Sequence, residues 1–372
     1  MLQLIRFVVA ASVSFGLLVV SANARDYFVD QKNPAADDKN TGTLAAAFKT
    51  IQAAVDKAQP NDTVQVRAGV YHESVMFRRG GTNPQWIITL QAYQDEHAVL
   101  DGSVAVPADQ WKLVEGKKNV YWTPFESQDN RRINMVFVGG TLIMPTLKNI
   151  PGANSSLIEG TPCDIMPAIP DDSPDDQGYY HDQKARKLYV NLGGRMPGKD
   201  VECRPSKWFE AVDVSGRPYV RVRKLEIRNY FNYGIFADGC TDVTVEDNYI
   251  HHCGVAFWGG NITGSVVRHN TCTDSMGTEM GVNGSRCMTV EENLIMRWNL
   301  NPYKVVSWGG CGIVCNGARG LVLRNNVIAD GPDSGVWPDC CGNGITIYGN
   351  TTYRMQGDGY YIEAGVYGTI LR

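Results

Sequence analysis

The tetrapeptide VEDN at residues 245–248 returns along the chain as VRHN, VEEN, LRNN and IYGN. Their last asparagines are Asn248, Asn270, Asn293, Asn326 and Asn350, at intervals of 22, 23, 33 and 24 residues. A near-constant period of that length is the mark of stacked coils, each too small to bury a core alone. The one long step predicts a loop insertion around "NPYKVVSWGG", residues 301–310. Asparagine at each coil corner is expected to tolerate left-handed backbone and to bond its own turn, and it carries no catalytic assignment.

A second element recurs in the same register. Five copies begin with glycine, GIFAD, GVAFW, GIVCN, GVWPD and GYYIE, and EMGVN is a looser sixth. Strand side chains alternate faces. Second and fourth residues, Ile235/Ala237, Val255/Phe257, Met280/Val282, Ile313/Cys315, Val336/Pro338 and Tyr360/Ile362, are nearly all apolar and are read as the inside. Third and fifth residues then face out: Phe236/Asp238, Ala256/Trp258, Gly281/Asn283, Val314/Asn316, Trp337/Asp339 and Tyr361/Glu363.

This pattern puts Asp339 and Glu363, 24 residues apart, on one outer face of neighbouring coils. Parallel strands lie ~4.8 Å apart, so the carboxylates are expected about 5 Å from each other. That is the spacing of a retaining glycosidase, in which one carboxylate attacks the anomeric carbon and the other protonates the leaving oxygen. Trp337, Tyr361 and Trp258 in the outward strip can stack on sugar rings. Asn283, Asn316 and Asp238 can bond hydroxyls. Stacked acids also admit a solvated surface or a calcium site.

The rest of the chain fits an exported solenoid. Residues 1–24 read as a signal peptide: a charged start, an apolar run from Phe7 to Val20, and Ala22-Asn23-Ala24 before the cut. That run is too short for a membrane span, and none follows it. Residues 25–104 form an N-terminal cap and first coils, with Phe48, Ile51, Val55 and Ala58 at helical spacing. Proline and aspartate cluster within 105–205, read as an inserted β-rich subdomain. Residues 206–372 are the coil repeats, and "GTILR" stops short of the next expected asparagine, as if truncated. The 10 cysteines lack paired zinc spacing; most are read as core filler, with Cys163–Cys203 a disulfide candidate. A net charge of −4 without a basic patch argues against nucleic acid.

The mature chain resembles the right-handed parallel β-helix, or pectin-lyase-like, superfamily, through "FKTIQAAVDKAQPNDTVQVRAGVYHESV". Its layout is similar to β-helical glycoside hydrolases of the β-xylosidase type, through "AVLDGS", "KLYVNLGGRMPGKDVEC", "GVWPDC" and "YYIEAG". The resemblance implies that Asp339 is the nucleophile and Glu363 the acid/base, acting without cofactor or metal on a polysaccharide or oligosaccharide outside the cytoplasm. It implies equally that "PDCC" departs from the family pattern. Two other classes fit the fold. One is a polysaccharide lyase, which uses a Lys, Arg or His base and calcium; Arg268, Arg297, Lys304 and Arg324 are the basic residues to place, and His251-His252 reads as corner packing. The other is a non-catalytic carbohydrate-binding rod.

Overall fold

A computed structural model describes residues 24–149, 155–158, 161–163, 165–300, 310–342, 344–363 and 370–371. The signal-peptide reading and Lys304 lie outside them. No helix among the described residues is long and apolar enough to cross a membrane.

The chain winds as a solenoid. Each full coil gives one short strand to each of three sheets, of ten, eight and seven strands. All neighbours within these sheets are parallel, and each strand pairs with its counterpart one coil on. Apolar columns run up the inside. Val222, Val245, Val267, Val290, Leu323 and Ile347 line the first sheet. Ile227, Ile250, Cys272, Ile295 and Ile328 line the second, and Ile235, Phe257, Met280, Ile313 and Val336 the third. All of these are buried in one cluster. Most cysteines are core filler there: Cys240, Cys253, Cys272, Cys315 and Cys341 are buried free thiols. Cys203 is also free and buried; the side chain of Cys163, its candidate partner, lies outside the described residues.

The amphipathic segment near the N-terminus closes the first coils as α1 (Ile51–Lys57), burying Ile51, Ala54 and Val55. Thr50 caps it through Ala53 N, and Glu73 accepts from the amides of Ile51 and Gln52 at 2.9 Å each. Those bonds satisfy orphan donors of the first turn.

The corner asparagines behave differently from expectation. The left-handed residue is the one before each of them: Asp247, His269, Glu292, Asn325 and Gly349, with φ from 54° to 66°. The asparagine side chains turn inward and bond mainly between coils. Asn248 Nδ2 donates to Asn270 Oδ1 at 3.0 Å, and Asn270, Asn293 and Asn326 repeat the contact with the next asparagine. Each amide therefore links its neighbours along the stack, and burial makes those bonds costly to lose.

Between the second-sheet strand Ala98–Asp101 and the third-sheet strand Glu210–Asp213 the chain leaves the solenoid. The excursion holds a four-stranded and a three-stranded antiparallel sheet and two strand pairs. A Ser103–Ser206 bridge closes its neck. Its own core, including Trp111, Met135, Phe137 and Leu188, packs against Phe231 and Met276 of the coils. The insertion thus stands over the corner between the second and third sheets.

Candidate active site

The outer face of the third sheet carries the strip predicted from the repeats, with one change of register. Asn283, Asn316 and Asp339 pair in sequence across neighbouring strands, as do Gly281, Val314 and Trp337. Trp258, however, pairs with Phe236 and Gly281, and Gly260 with Asp238 and Asn283. The repeat pattern aligns Gly254 with Gly234, and the strands pair otherwise. Ala256 takes the place opposite Gly234, because the corner ahead of it is longer and Gly254 packs on the backbone of Asn232. The slip is two residues, so Trp258 still faces out, but Ala256 does not hold the Phe236 position.

Asp238 is consequently not brought to the acids. It lies four coil steps from Asp339, leans over Gly260 and accepts from Asn261 Nδ2 at 3.2 Å. Ile362, expected inside, is 45% exposed at the end of the described stack.

The remaining residues converge. A cavity of about 250 Å³ is lined by Trp258, Asn283, Val314, Asn316, Trp337 and Asp339. The two tryptophans stand three coil steps apart, ~14 Å by strand spacing, over a floor of glycine and valine. Asn316 Nδ2 donates to Asp339 Oδ2 at 2.9 Å. One coil on, Val336 bridges to Tyr360, and the amides of Tyr361 and Glu363 donate to the carbonyls of Val336 and Pro338 at 2.9 and 3.0 Å. This ladder sets Glu363 beside Asp339 in the outward column. Trp337 Nε1 donates to Glu363 Oε2 at 2.9 Å, and its ring meets Tyr361 edge-on at 5.5 Å.

Two residues not singled out in the repeats shape the site. Gly281 makes room for Trp258: a Cβ there would lie 2.2 Å from the ring. The indole therefore lies over Gly281 of the next coil. Cys340 follows Asp339 in left-handed backbone with φ 48° and is exposed. A hydrogen bond to Asp339, with the charges of Asp339 and Glu363, pushes its thiol pKa up. A glycine between two tryptophans in an outward column was the available signal for the first. The doubled cysteine was the signal for the second.

The basic residues that a lyase would need point elsewhere. Arg268 bonds Glu246, Arg297 bonds Asp274 and Arg324 bonds Glu291. No group of three or more His, Cys, Asp or Glu able to hold a metal ion occurs among the described residues.

A family profile described as "right handed beta helix region" matches residues 210–371. The structure of XylC in complex with xylose superposes with a TM-score of 0.64 at 19% identity, over 91% of this chain and 65% of that one. The fold is a right-handed parallel β-helix of the pectate-lyase type. Sequence similarity to curated proteins is local. The uncharacterized protein YwoF of Bacillus subtilis (strain 168) is 34% identical over 77 residues, 21% of this chain and 16% of YwoF. Pectate lyase PEL9 of Emericella nidulans is 31% identical over 99 residues, 26% of this chain and 23% of the lyase. The matched part of the chain thus spans less than a quarter of either curated relative's length.

Proposed function

We propose that this β-helix is an exported, carbohydrate-active retaining glycoside hydrolase, β-xylosidase-like, acting on oligosaccharides or the ends of a polysaccharide. The observation that carries the reading is the placement of Asp339 and Glu363 in one outward column on adjacent coils, beside a cavity walled by two tryptophans. Asp339 attacks the anomeric carbon, held by Asn316. Glu363, oriented by the Trp337 indole, protonates the departing oxygen. It then takes a proton from the water that releases the glycosyl-enzyme. Trp258 and Trp337 bracket the sugar ring, and Asn283 and Asn316 bond its hydroxyls. Tyr361, 41% exposed beyond the acids, extends the stacking surface toward the leaving group. No metal takes part in these steps.

The lyase alternative draws on the local likeness to PEL9. It lacks a free base in the strip, where the described side chains are acids, amides, aromatics and valine.

A screen of chromogenic glycosides with product stereochemistry followed by NMR tests the proposal. Retention of anomeric configuration without ultraviolet-absorbing unsaturated ends is the expected result. Unsaturated product with strong calcium dependence moves the assignment to elimination.

A further inference from the structure

A second cavity lies elsewhere. It measures about 440 Å³ and opens between the outer face of the second sheet and the insertion. Its lining carries two carboxylates, Asp101 and Glu202, and two guanidinium groups, Arg204 and Arg228. His251-His252 and His72 complete it.

The hydrogen bonds settle which atoms remain for a ligand. Asp101 is spent: it accepts from Ser103 N and Oγ, Asn229 Nδ2 and Arg228 Nε at 2.7 to 3.0 Å. Arg228 Nη1 goes to Glu226 at 2.8 Å and Arg204 Nη1 to Glu202 at 3.0 Å. His72 Nδ1 meets the Asp101 carbonyl at 3.1 Å and so carries the proton there. Its Nε2 faces Arg204 Nη2 at a slack 3.4 Å. His251 Nε2 meets Glu226 at 3.3 Å, and a carboxylate only accepts. With both rings neutral, His252 Nδ1 donates across 2.8 Å to His251 Nδ1. His252 Nε2 is left with a lone pair and no partner among the described residues. Burial pushes the His252 pKa down, which favours the neutral ring. Phe137 of the insertion closes one wall, edge-on to His252 at 5.8 Å.

The leftover groups include acceptors, His252 Nε2 and the free oxygen of Glu202, and donors on Arg204 and Arg228, set in a lining of balanced charge. An ion of either sign gains from one pair of charges and loses to the other. An apolar ligand strips water from groups it cannot bond. Hydroxyl groups both donate and accept, and the volume falls in the range of small-ligand sites.

We propose that this cavity is a second binding site, for a neutral carbohydrate, in which a ligand hydroxyl donates to His252 Nε2 and others accept from Arg204 and Arg228. It lies on a different sheet from Asp339 and Glu363 and does not depend on their chemistry.

Calorimetric titration of the full mature chain carrying Asp339→Asn, at pH 8, tests it. The probes are the neutral tetrasaccharides of xylose, glucose, mannose and arabinose, with trigalacturonate as the acidic control. A neutral probe should bind at the cavity, and His252→Ala should weaken that binding about tenfold. In the otherwise native chain, His252→Ala should leave turnover of a small aryl glycoside unchanged. Glu202→Gln, on the exposed rim, should free Arg204 and alter the same affinity without lowering the melting temperature; it keeps the test decisive if His252→Ala unfolds. Absence of any neutral probe whose affinity responds to these variants overturns the site, as does preferential binding of trigalacturonate. Cavity binding without any aryl glycoside turnover leaves this site standing and removes the hydrolase reading instead.

Discussion

The first and third sheets are built from the same coils, yet their outer faces have opposite electrostatics. On the first sheet, charges are paired. Glu246 sits among Arg221, Arg223 and Arg268, with Arg268 at 2.7 Å, and Glu291 is bonded by Arg324. On the third sheet, Asp339 and Glu363 have no cation: among the described residues neither forms a salt bridge, and their side-chain partners are neutral, an amide and a thiol for Asp339 and an indole for Glu363. A solenoid repeats its backbone, so its faces differ only in side chains. Neutralised rows stiffen the stack. An unneutralised acid pair between aromatic rings is available for chemistry, and its cost to folding is tolerated because the cleft is open to solvent.

The largest expected effect breaks this contrast at the acids. Asp339→Asn should lower turnover by about 10^4-fold, since no nucleophile replaces it. Glu363→Gln should cost about 10²–10⁴-fold on substrates with poor leaving groups and far less on activated aryl glycosides, which need no protonation. Full activity in both variants, measured by steady-state kinetics, would reduce the pair to surface decoration.

Next in size is the glycine under the indole. Gly281→Ala adds one methyl where Trp258 lies 2.2 Å from the added carbon. Because φ at Gly281 is not left-handed, alanine strains nothing but the ring, which must move off Gly281. KM should rise about tenfold with kcat nearly kept, the signature of lost uniform binding. Trp258→Ala should give the same KM, and the double variant no further rise. Additive effects would mean that Gly281 acts through something other than the indole.

A third comparison sets two buried glutamates on pH. Burial pushes Glu246 up, but the Arg268 bond and the three nearby arginines outweigh it, and its pKa ends below the ordinary value. Its stabilisation is therefore present above the unfolded pKa of ~4.3 and lost as pH falls through the lowered folded value. Glu279 is the reverse. Fully buried, and bonded by Ser275 N and Oγ at 2.9 and 2.8 Å, it is pushed up to about 8 by burial. The native fold keeps a proton that the unfolded chain releases, so stability falls as pH rises from ~4.3 to about 8. Glu279→Gln should raise the melting temperature at pH 8 by a few degrees and change it little at pH 4.5. Glu246→Gln should lower it at pH 7 by an amount equivalent to about 2 kcal/mol, with glycosidase kinetics untouched. Identical melting curves for the native and Glu279→Gln proteins at pH 8 would show that the proton is not held.

Much of the solenoid was legible because its period is written in the chain: each inward column repeats a simple apolar choice. The candidate cleft was legible to the same extent, since Asn283, Asn316, Trp337, Asp339 and Glu363 keep the register. What failed is what a period cannot encode. Corner length is set by packing such as Gly254 on Asn232, so Trp258 and Asp238 received the wrong neighbours. Gly281 counts only through a ring one coil away, and the inter-coil asparagine contacts need partners 22 to 33 residues off. His251-His252 read as corner packing because Glu226 and Phe137 reach it from other stretches of chain.

The smallest expected effect concerns the doubled cysteine. Cys341 is buried and donates to the Cys315 carbonyl at 3.2 Å, whereas Cys340 is exposed beside Asp339. The hydrogen bond to Asp339 and the negative charges of Asp339 and Glu363 disfavour the thiolate, and the thiolate is the reactive form. Iodoacetamide should therefore modify Cys340 more slowly at pH 7.5 than an unperturbed exposed thiol, and faster as pH rises. The added group sits next to the proposed nucleophile, so modification should block turnover in step with labelling, and a bound sugar should slow both. Cys340→Ser should keep nearly full activity and resist the reagent. Inactivation of Cys340→Ser at the native rate would move the sensitive thiol to another cysteine such as Cys287, which is also exposed, and with it remove the link between this cysteine and the acids.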